Sequence, residues 1–166
     1  IRVSLDSSGG QGNDYCNTPS ITPDGRYVVF SSGASNLVAG DTNGLPDLFF
    51  RDRQTGFIER VNVHSSGAQA DDLSLSLAAI SPDGRQIVFV GPGQGSSQLW
   101  LRRLDQLTST PIAGTEGGYS PFFSPDGRQV GFIKNGVTLR IASLDGTPTV
   151  TLIDTAGFRE SGDAIE

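Results

Sequence analysis

The sequence predicts an all-β repeat protein built from four-stranded antiparallel sheets. One short phrase occurs three times, at residues 21–26, 80–85 and 123–128, and each copy contains Pro-Asp-Gly-Arg. Proline presets φ for a turn, aspartate tolerates the next position, and glycine accepts the positive φ that lets the following strand return antiparallel. Each copy is therefore expected to be a hairpin turn in which aspartate and arginine have structural roles.

An apolar strand follows each turn, and a second apolar run follows that strand. No window holds a sustained 3.6-residue apolar stripe, and 22 Gly and 9 Pro interrupt the long runs, so helices are not expected. Four-stranded antiparallel units at about this period are typical of the blades of a β-propeller. The predicted strands are 18–22, 26–31, 47–52 and 57–63, then 76–80, 86–91, 98–104 and 109–113, then 119–123, 128–134, 137–143 and 149–153.

The chain is expected to be a single β-propeller segment with three blades. Residues 2–9 align with residues 60–67, so residues 1–5 should be the orphan outer strand of a preceding blade. A ring needs about four to eight blades, so further blades in cis or in a homo-oligomer should complete it. The predicted divisions are 1–17 for the outer strand and loop of a preceding blade, 18–75, 76–118 and 119–153 for three blades, and 154–166 for the connection to a following blade.

The repeats also resemble a known family. Ser-Pro-Asp-Gly-Arg, an apolar strand ending in Phe, Leu-Trp and a closing Leu-Asp are similar to the TolB-like β-propeller repeat, which is related in architecture to WD-repeat propellers. Thr22 replaces Ser in the first copy, and Phe49 and Arg140 stand at the position of Trp100. Gly131 lies inside a strand, where glycine weakens the strand or admits a close neighbour. The resemblance implies a periplasmic or secreted interaction module with a protein or peptide partner.

Composition argues against several functions. A net charge of −6 disfavours a nucleic-acid or anionic-membrane surface, and no apolar run approaches 18 residues, so membrane insertion is not expected. His64 and Cys16 are the sole histidine and cysteine, which excludes metal sites built from His or Cys clusters. The sequence has no Gly-x-Ser-x-Gly elbow. The chain is therefore predicted to be non-catalytic.

Loop lengths indicate where a binding surface lies. Pro23 and Pro82 are 59 residues apart, whereas Pro82 and Pro125 are 43 residues apart. Half of the additional residues lie between the second and third strands of the first repeat, and half lie in the connection to the next blade. Both connections emerge opposite the Pro-Asp-Gly turns, and long loops on a rigid sheet commonly bind partners. The candidate binding residues at this end are Asp14, Asp41, Asn43, Asp47, His64, Asp71 and Asp72.

Segment 41–47 resembles the start of a calcium-binding loop. Asp41, Asn43 and Asp47 offer oxygen ligands around Gly44, but the fifth position lacks a carboxylate. A turn-rich loop without any cofactor is the favoured interpretation, with calcium at these three residues as the alternative. Two other functions stay open. One is the propeller of a prolyl-oligopeptidase-like serine hydrolase whose catalytic domain lies outside this chain, and the other is a calcium-stabilised extracellular structural module.

Overall fold

The computed structural model describes residues 2–63, 77–106 and 108–154. Three antiparallel sheets of four strands, here named blades 1, 2 and 3, pair their strands in sequence order. The strands are β1 (Cys16–Ile21), β2 (Tyr27–Ser32), β3 (Asp47–Asp52) and β4 (Ile58–Arg60) in blade 1, β5 (Ala78–Ile80), β6 (Gln86–Pro92), β7 (Ser97–Arg103) and β8 (Ser109–Pro111) in blade 2, and β9 (Gly118–Phe123), β10 (Gln129–Lys134), β11 (Thr138–Ser143) and β12 (Val150–Asp154) in blade 3. In the described part of the chain, no helix is long and apolar enough to cross a membrane.

The predicted all-β architecture of three four-stranded blades is confirmed. The outer strands β4 and β8 are shorter than predicted. Beyond the end of each, one backbone hydrogen bond to the third strand remains, and a side chain accepts the next backbone N–H. The Asn62 Oδ1 atom accepts the Leu48 N–H at 2.8 Å, and the Thr115 Oγ1 atom accepts the Leu99 N–H at 3.1 Å. Backbone donors of β3 and β7 are thus satisfied without longer fourth strands.

The three Pro-Asp-Gly turns adopt the predicted conformation. Gly25, Gly84 and Gly127 have φ values of 72°, 71° and 70°. In each turn the aspartate accepts a hydrogen bond from the preceding Ser or Thr hydroxyl at 2.6 Å and one from the backbone N–H of the following arginine at 3.0–3.1 Å. These bonds, the hydroxyl bond first, lower the pKa of all three aspartates. The predicted structural role of these aspartates is confirmed.

An ion pair braces the turn of blade 1. The Arg26 Nε atom donates to Asp52 Oδ1 at 3.2 Å, and Arg26 Nη2 donates to Asp52 Oδ2 at 2.8 Å. The same guanidinium lies 4.6 Å from the ring centroid of Tyr27. The hydrogen bonds from Arg26 lower the pKa of Asp52 to about 2, from its ordinary value of 3.8.

This pair should make part of the stability sensitive to acid. A lowered pKa in the folded state stabilises the protein above the ordinary value of 3.8, and this contribution is lost as the pH falls toward 2. Because Arg26 is partly in water, we expect Asp52→Asn to lower the free energy of unfolding by about 1 kcal/mol at pH 6 and by almost nothing at pH 2. Urea midpoints at both pH values measure this. Asp105→Asn, at an exposed aspartate, is the control, and an equal loss for Asp52→Asn at both pH values would contradict the expectation.

Apolar clusters join neighbouring blades. The cluster between blades 1 and 2 consists of Val29, Leu48, Phe50, Val61, Ile80, Ile87 and Phe89. The cluster between blades 2 and 3 consists of Val88, Val90, Leu99, Leu101, Val130, Phe132 and Ala142. Each large side chain buried in this way contributes about 1.5–3 kcal/mol. The blades are therefore stabilised mainly by contact with each other.

The amino-terminal segment differs from the outer strand predicted at residues 1–5. Within residues 2–15 the β-pairing is an isolated antiparallel bridge between Leu5 and Gln11. The chain reverses at Asp6, because its Oδ1 atom accepts the backbone N–H groups of Ser8 and Gly10, both at 2.8 Å. The segment therefore folds on itself before it reaches β1.

The same segment covers the free face of blade 1. Val3 packs against an apolar cluster on that face, and the Arg51 Nη1 atom donates to the carbonyl oxygen of Leu5. Gly12 lies so close that a Cβ atom there would be 3.3 Å from the side chains of Ala34 and Leu37. The cluster consists of Val28, Phe30, Ala34, Leu37, Phe49 and Ile58. Blade 1 is thus closed on both faces, one by blade 2 and the other by residues 2–12.

The free face of blade 3 is apolar and exposed. Phe122, Val150 and Leu152 expose 50%, 58% and 52% of their surface. Phe122 pairs with Gly131 across the sheet, and a Cβ atom at Gly131 would lie well within 3.0 Å of the Phe122 ring. The prediction that Gly131 admits a close neighbour is confirmed.

Candidate functional site

The two ends of the blades differ in loop content. The three Pro-Asp-Gly turns and the turns between third and fourth strands form one end, the turn face. Residues 11–15, 33–46, 93–96, 112–117 and 135–137 form the opposite end, the loop face. Asp14, Asp41, Asn43 and Asp47 belong to the loop face, whereas His64, Asp71 and Asp72 lie outside the described residues.

Asparagine side chains fasten residues 11–15 to the loop that follows β2. The Asn13 N–H donates to Asn36 Oδ1 at 2.9 Å, and Asn13 Oδ1 accepts the Ser35 N–H at 3.0 Å. The Asn36 Nδ2 atom donates to the carbonyl oxygen of Gln11 at 2.8 Å. Because these bonds are reciprocal, the two segments form one platform on the loop face.

Arg60 is the centre of the acidic cluster. Its Nη1 atom lies 3.0 Å from Asp47 Oδ2 and 3.7 Å from Asp41 Oδ1. The other oxygen of Asp47 accepts a hydrogen bond from Asn62 Nδ2 at 2.7 Å. Burial raises the pKa of Asp47, because desolvation outweighs the hydrogen bonds from Arg60 and Asn62. The cluster is an internal ion pair that fixes segment 41–47 to β4.

Asp47 therefore does not lie on the surface, contrary to the prediction that it contributes to a partner-binding face. It is 1% exposed, and the side chain of Asp41 is 3% exposed. Both oxygens of Asp47 face donors on β4 and beyond it, and the Asn43 Oδ1 atom accepts the Leu45 N–H at 3.0 Å. The described residues contain no group of three or more His, Cys, Asp and Glu side chains suited to a metal ion. The cation at this cluster is the guanidinium of Arg60.

Among the predicted site residues that the structure describes, Asp14 is exposed. Its Oδ1 atom accepts the backbone N–H of Tyr15 at 2.7 Å. Tyr15 itself is 51% exposed, and its ring lies over Gly33, where a Cβ atom would be 2.9 Å from Tyr15 Cε1. An acidic group and a supported aromatic ring thus stand side by side on the platform.

Sequence reasoning missed three residues of this face: Arg60, Asn62 and Tyr15. Arg60 and Asn62 act across the β3–β4 register, at 13 and 15 residues from Asp47, and a short-range motif does not show such a pairing. Tyr15 offered a signal, since it is an aromatic residue in a stretch rich in Gly, Asn and Asp.

The comparisons with known proteins address the fold. No family model and no curated protein sequence matches the chain. Among solved structures, TolB from Acinetobacter baumannii matches with a TM-score of 0.59 at 20% identity, over 87% of this chain and 33% of TolB. The chain has the β-propeller fold of TolB-like proteins.

Other solved structures match with slightly lower TM-scores. A prolyl endopeptidase matches with a TM-score of 0.55 at 16% identity, over 91% of this chain and 24% of that chain. A chain of a nidogen–laminin complex matches with a TM-score of 0.55 at 10% identity, over 85% of this chain and 49% of that chain. This propeller spans less than half of each of the three matched chains. At these identities the likeness shows the fold alone, and propellers of this kind occur both in TolB and in peptidases.

Proposed function

We propose that this propeller is a non-catalytic module that binds a protein or peptide partner through its loop face. The observation that supports this proposal most directly is the exposed pair Asp14 and Tyr15, on a platform that Asn13 and Asn36 hold in place. Tyrosine is enriched among the residues that dominate binding energy at protein interfaces, because a rigid ring adds contact area at low entropic cost. Since the platform is already ordered, binding would require little rearrangement.

Charge complementarity indicates the kind of partner. The chain has a net charge of −6, and Asp71 and Asp72 add acidic groups to the same loop-rich part of the sequence. A partner segment with basic residues and an apolar anchor would therefore associate fastest. The nidogen–laminin match is a propeller-like chain from a protein–protein complex, which agrees with this use of the fold. A periplasmic or secreted location, with further blades or a second copy over the exposed apolar face of blade 3, completes the proposal.

Peptide selection against the immobilised protein tests the site. We expect the selected peptides to be basic, Tyr15→Ala to weaken their binding by about tenfold or more, and Asp14→Lys to slow their association. Asp105→Lys, a charge reversal at an exposed residue on the turn face, is the matched control and should have little effect. Peptides whose binding is insensitive to Tyr15→Ala, or equally sensitive to Asp105→Lys, would exclude this surface as the binding site.

The second candidate is the propeller of a prolyl-oligopeptidase-like hydrolase, which the match to a prolyl endopeptidase favours. In that case the chemistry would lie in another domain of a longer protein. The full coding sequence distinguishes the two, because further Pro-Asp-Gly repeats would support the binding module and a Gly-x-Ser-x-Gly segment would support the hydrolase.

A further inference from the structure

A cavity of about 680 Å³ separates blades 2 and 3 at their outer sides. One wall is β8 with the loop that follows it, and the other is β11 with the β11–β12 turn. Its volume falls in the range of about 300–1,000 Å³ that is typical of small-molecule sites. The cavity is separate from the platform around Asp14 and Tyr15.

The charge of this cavity is opposite to that of the protein. Arg103, Lys134 and Arg140 line it together with a single acid, Glu116. The comparable cavity between blades 1 and 2 contains four acids and two arginines, namely Asp52, Glu59, Asp83, Asp105, Arg85 and Arg103. Among the described residues, none of the three cations at the first cavity forms an ion pair within 4.0 Å. Arg103 lines both cavities, whereas Lys134 and Arg140 line this one and not the cavity between blades 1 and 2.

Arg140 occupies a strand position that a different type of residue fills in blade 2. In blade 2 the corresponding residue is Trp100, which packs against the cluster between blades 1 and 2 and donates from Nε1 to the Pro92 carbonyl at 2.9 Å. In blade 3 the arginine enters the equivalent space between blades. Its Nε atom is buried and has no hydrogen-bond partner in the described chain. A buried donor without an acceptor is energetically unfavourable. A ligand that supplies an acceptor for the Arg140 Nε atom would remove this cost.

Neutral donors complete the walls. The hydroxyls of Thr110, Ser143, Thr147 and Thr149 belong to the cavity lining. Gly114 has φ of 77° and approaches Thr149 so closely that a Cβ atom would lie 2.5 Å from its Oγ1 atom. The two blades therefore meet at this point of the cavity wall.

We propose that this cavity binds a small molecule with two or more negative charges, carried by phosphate or carboxylate groups. Lys134 and Arg140, which are not shared with the other cavity, outnumber the single acid Glu116, and a dianion would pair with both cations. Charge-assisted hydrogen bonds from Arg140 would fix one acidic group, and Lys134, two residues nearer the loop end in the register of β10 and β11, would contact another. This site is independent of the proposed loop-face function.

Calorimetric titration with inorganic pyrophosphate and with citrate, at fixed ionic strength, tests the proposal. We expect saturable binding of at least one probe, weakened about tenfold or more by Arg140→Gln and by Lys134→Gln. Arg128→Gln, at an exposed arginine outside this cavity, is the matched control and should leave binding unchanged. Because the Arg140 Nε atom has no partner in the described chain, we expect Arg140→Gln to melt at the wild-type temperature without ligand, so lost binding would not reflect lost folding.

The two probes also distinguish between two chemical classes of ligand. Binding of pyrophosphate alone indicates a phosphorylated ligand, binding of citrate alone indicates a polycarboxylate, and both results support the proposal. Absence of saturable binding of either probe, or equal binding by wild type and Arg140→Gln, would overturn it.

Discussion

Gly84→Val is expected to destabilise the propeller by about 3 kcal/mol or more. Gly84 has φ of 71°, a conformation that costs a β-branched residue about 1–3 kcal/mol. A Cβ atom there would also lie well within 3.0 Å of the Tyr27 ring in blade 1. That ring cannot move freely, because its centroid lies 5.5 Å from that of the stacked Phe50 ring and 4.6 Å from the Cζ atom of Arg26. Overpacking adds about 1–3 kcal/mol, and denaturant midpoints measure the total.

The repeat supplies a matched control for this prediction. Gly127 occupies the same turn position in blade 3 with φ of 70°, but a Cβ atom there would meet its nearest neighbour, Pro82 Cδ, at 3.6 Å. We expect Gly127→Ala to cost about 1–2 kcal/mol from backbone strain alone and Gly84→Ala to cost clearly more. Equal losses for the two alanine variants would show that the contact between Gly84 and Tyr27 contributes nothing.

The fold was predictable because its signals are local. Pro, Asp and Gly at adjacent positions determine a turn by backbone geometry, and the hydrogen bonds that close it join residues within 22–27. Three copies in phase then determine the strand order, since consecutive antiparallel strands pair with their neighbours. The ends of β4 and β8 were harder to place, because Asn62 and Thr115 replace backbone pairing there through contacts that have no sequence motif.

The site was less predictable because its contacts are distant in sequence. Asp41 and Asp47 look like ligands when read along the loop, and the neutralising Arg60 becomes visible only through the β3–β4 register. The covering of blade 1 by residues 2–12 is likewise determined by tertiary packing, since Val3 reaches an apolar cluster formed by β2, β3 and β4. The presence of aspartates in a loop therefore did not show that Asp41 and Asp47 are buried.

The spaces between blades illustrate the same limit. Equivalent positions on the third strands hold Phe49, Trp100 and Arg140, which in sequence look like a minor departure from a repeat. In the structure, Phe49 packs in an apolar cluster, and Trp100 packs against another cluster and donates a hydrogen bond to the Pro92 carbonyl. Arg140 instead lines a cavity that contains other cations. A repeat scaffold thus acquires distinct chemistry between blades through substitution at one position.

Arg60→Ala is expected to destabilise the fold by about 3 kcal/mol at neutral pH, because it leaves the carboxylate of Asp47 buried without its cation. Burial already raises the pKa of Asp47, and loss of Arg60 should raise it further. Because this pKa is raised in the folded state, the contribution of Asp47 to stability is greatest below the ordinary value of 3.8 and is lost as the pH rises through the folded-state value. The loss should therefore shrink as the pH is lowered toward 4, which urea midpoints across this range measure.

A second substitution isolates the buried charge as the cause. Asp47→Asn in the Arg60→Ala background removes the charge and keeps an oxygen for the Asn62 Nδ2 donor, so we expect it to restore about 1–2 kcal/mol at neutral pH. Arg53→Ala, at an exposed arginine on the turn face, is the control and should cost less than about 1 kcal/mol. If Asp47→Asn restored nothing, the buried charge of Asp47 would not be the cause of the loss. If calcium raised the melting temperature of the wild type and Asp41→Ala abolished that rise, a metal ion instead of Arg60 would be the cation at this loop.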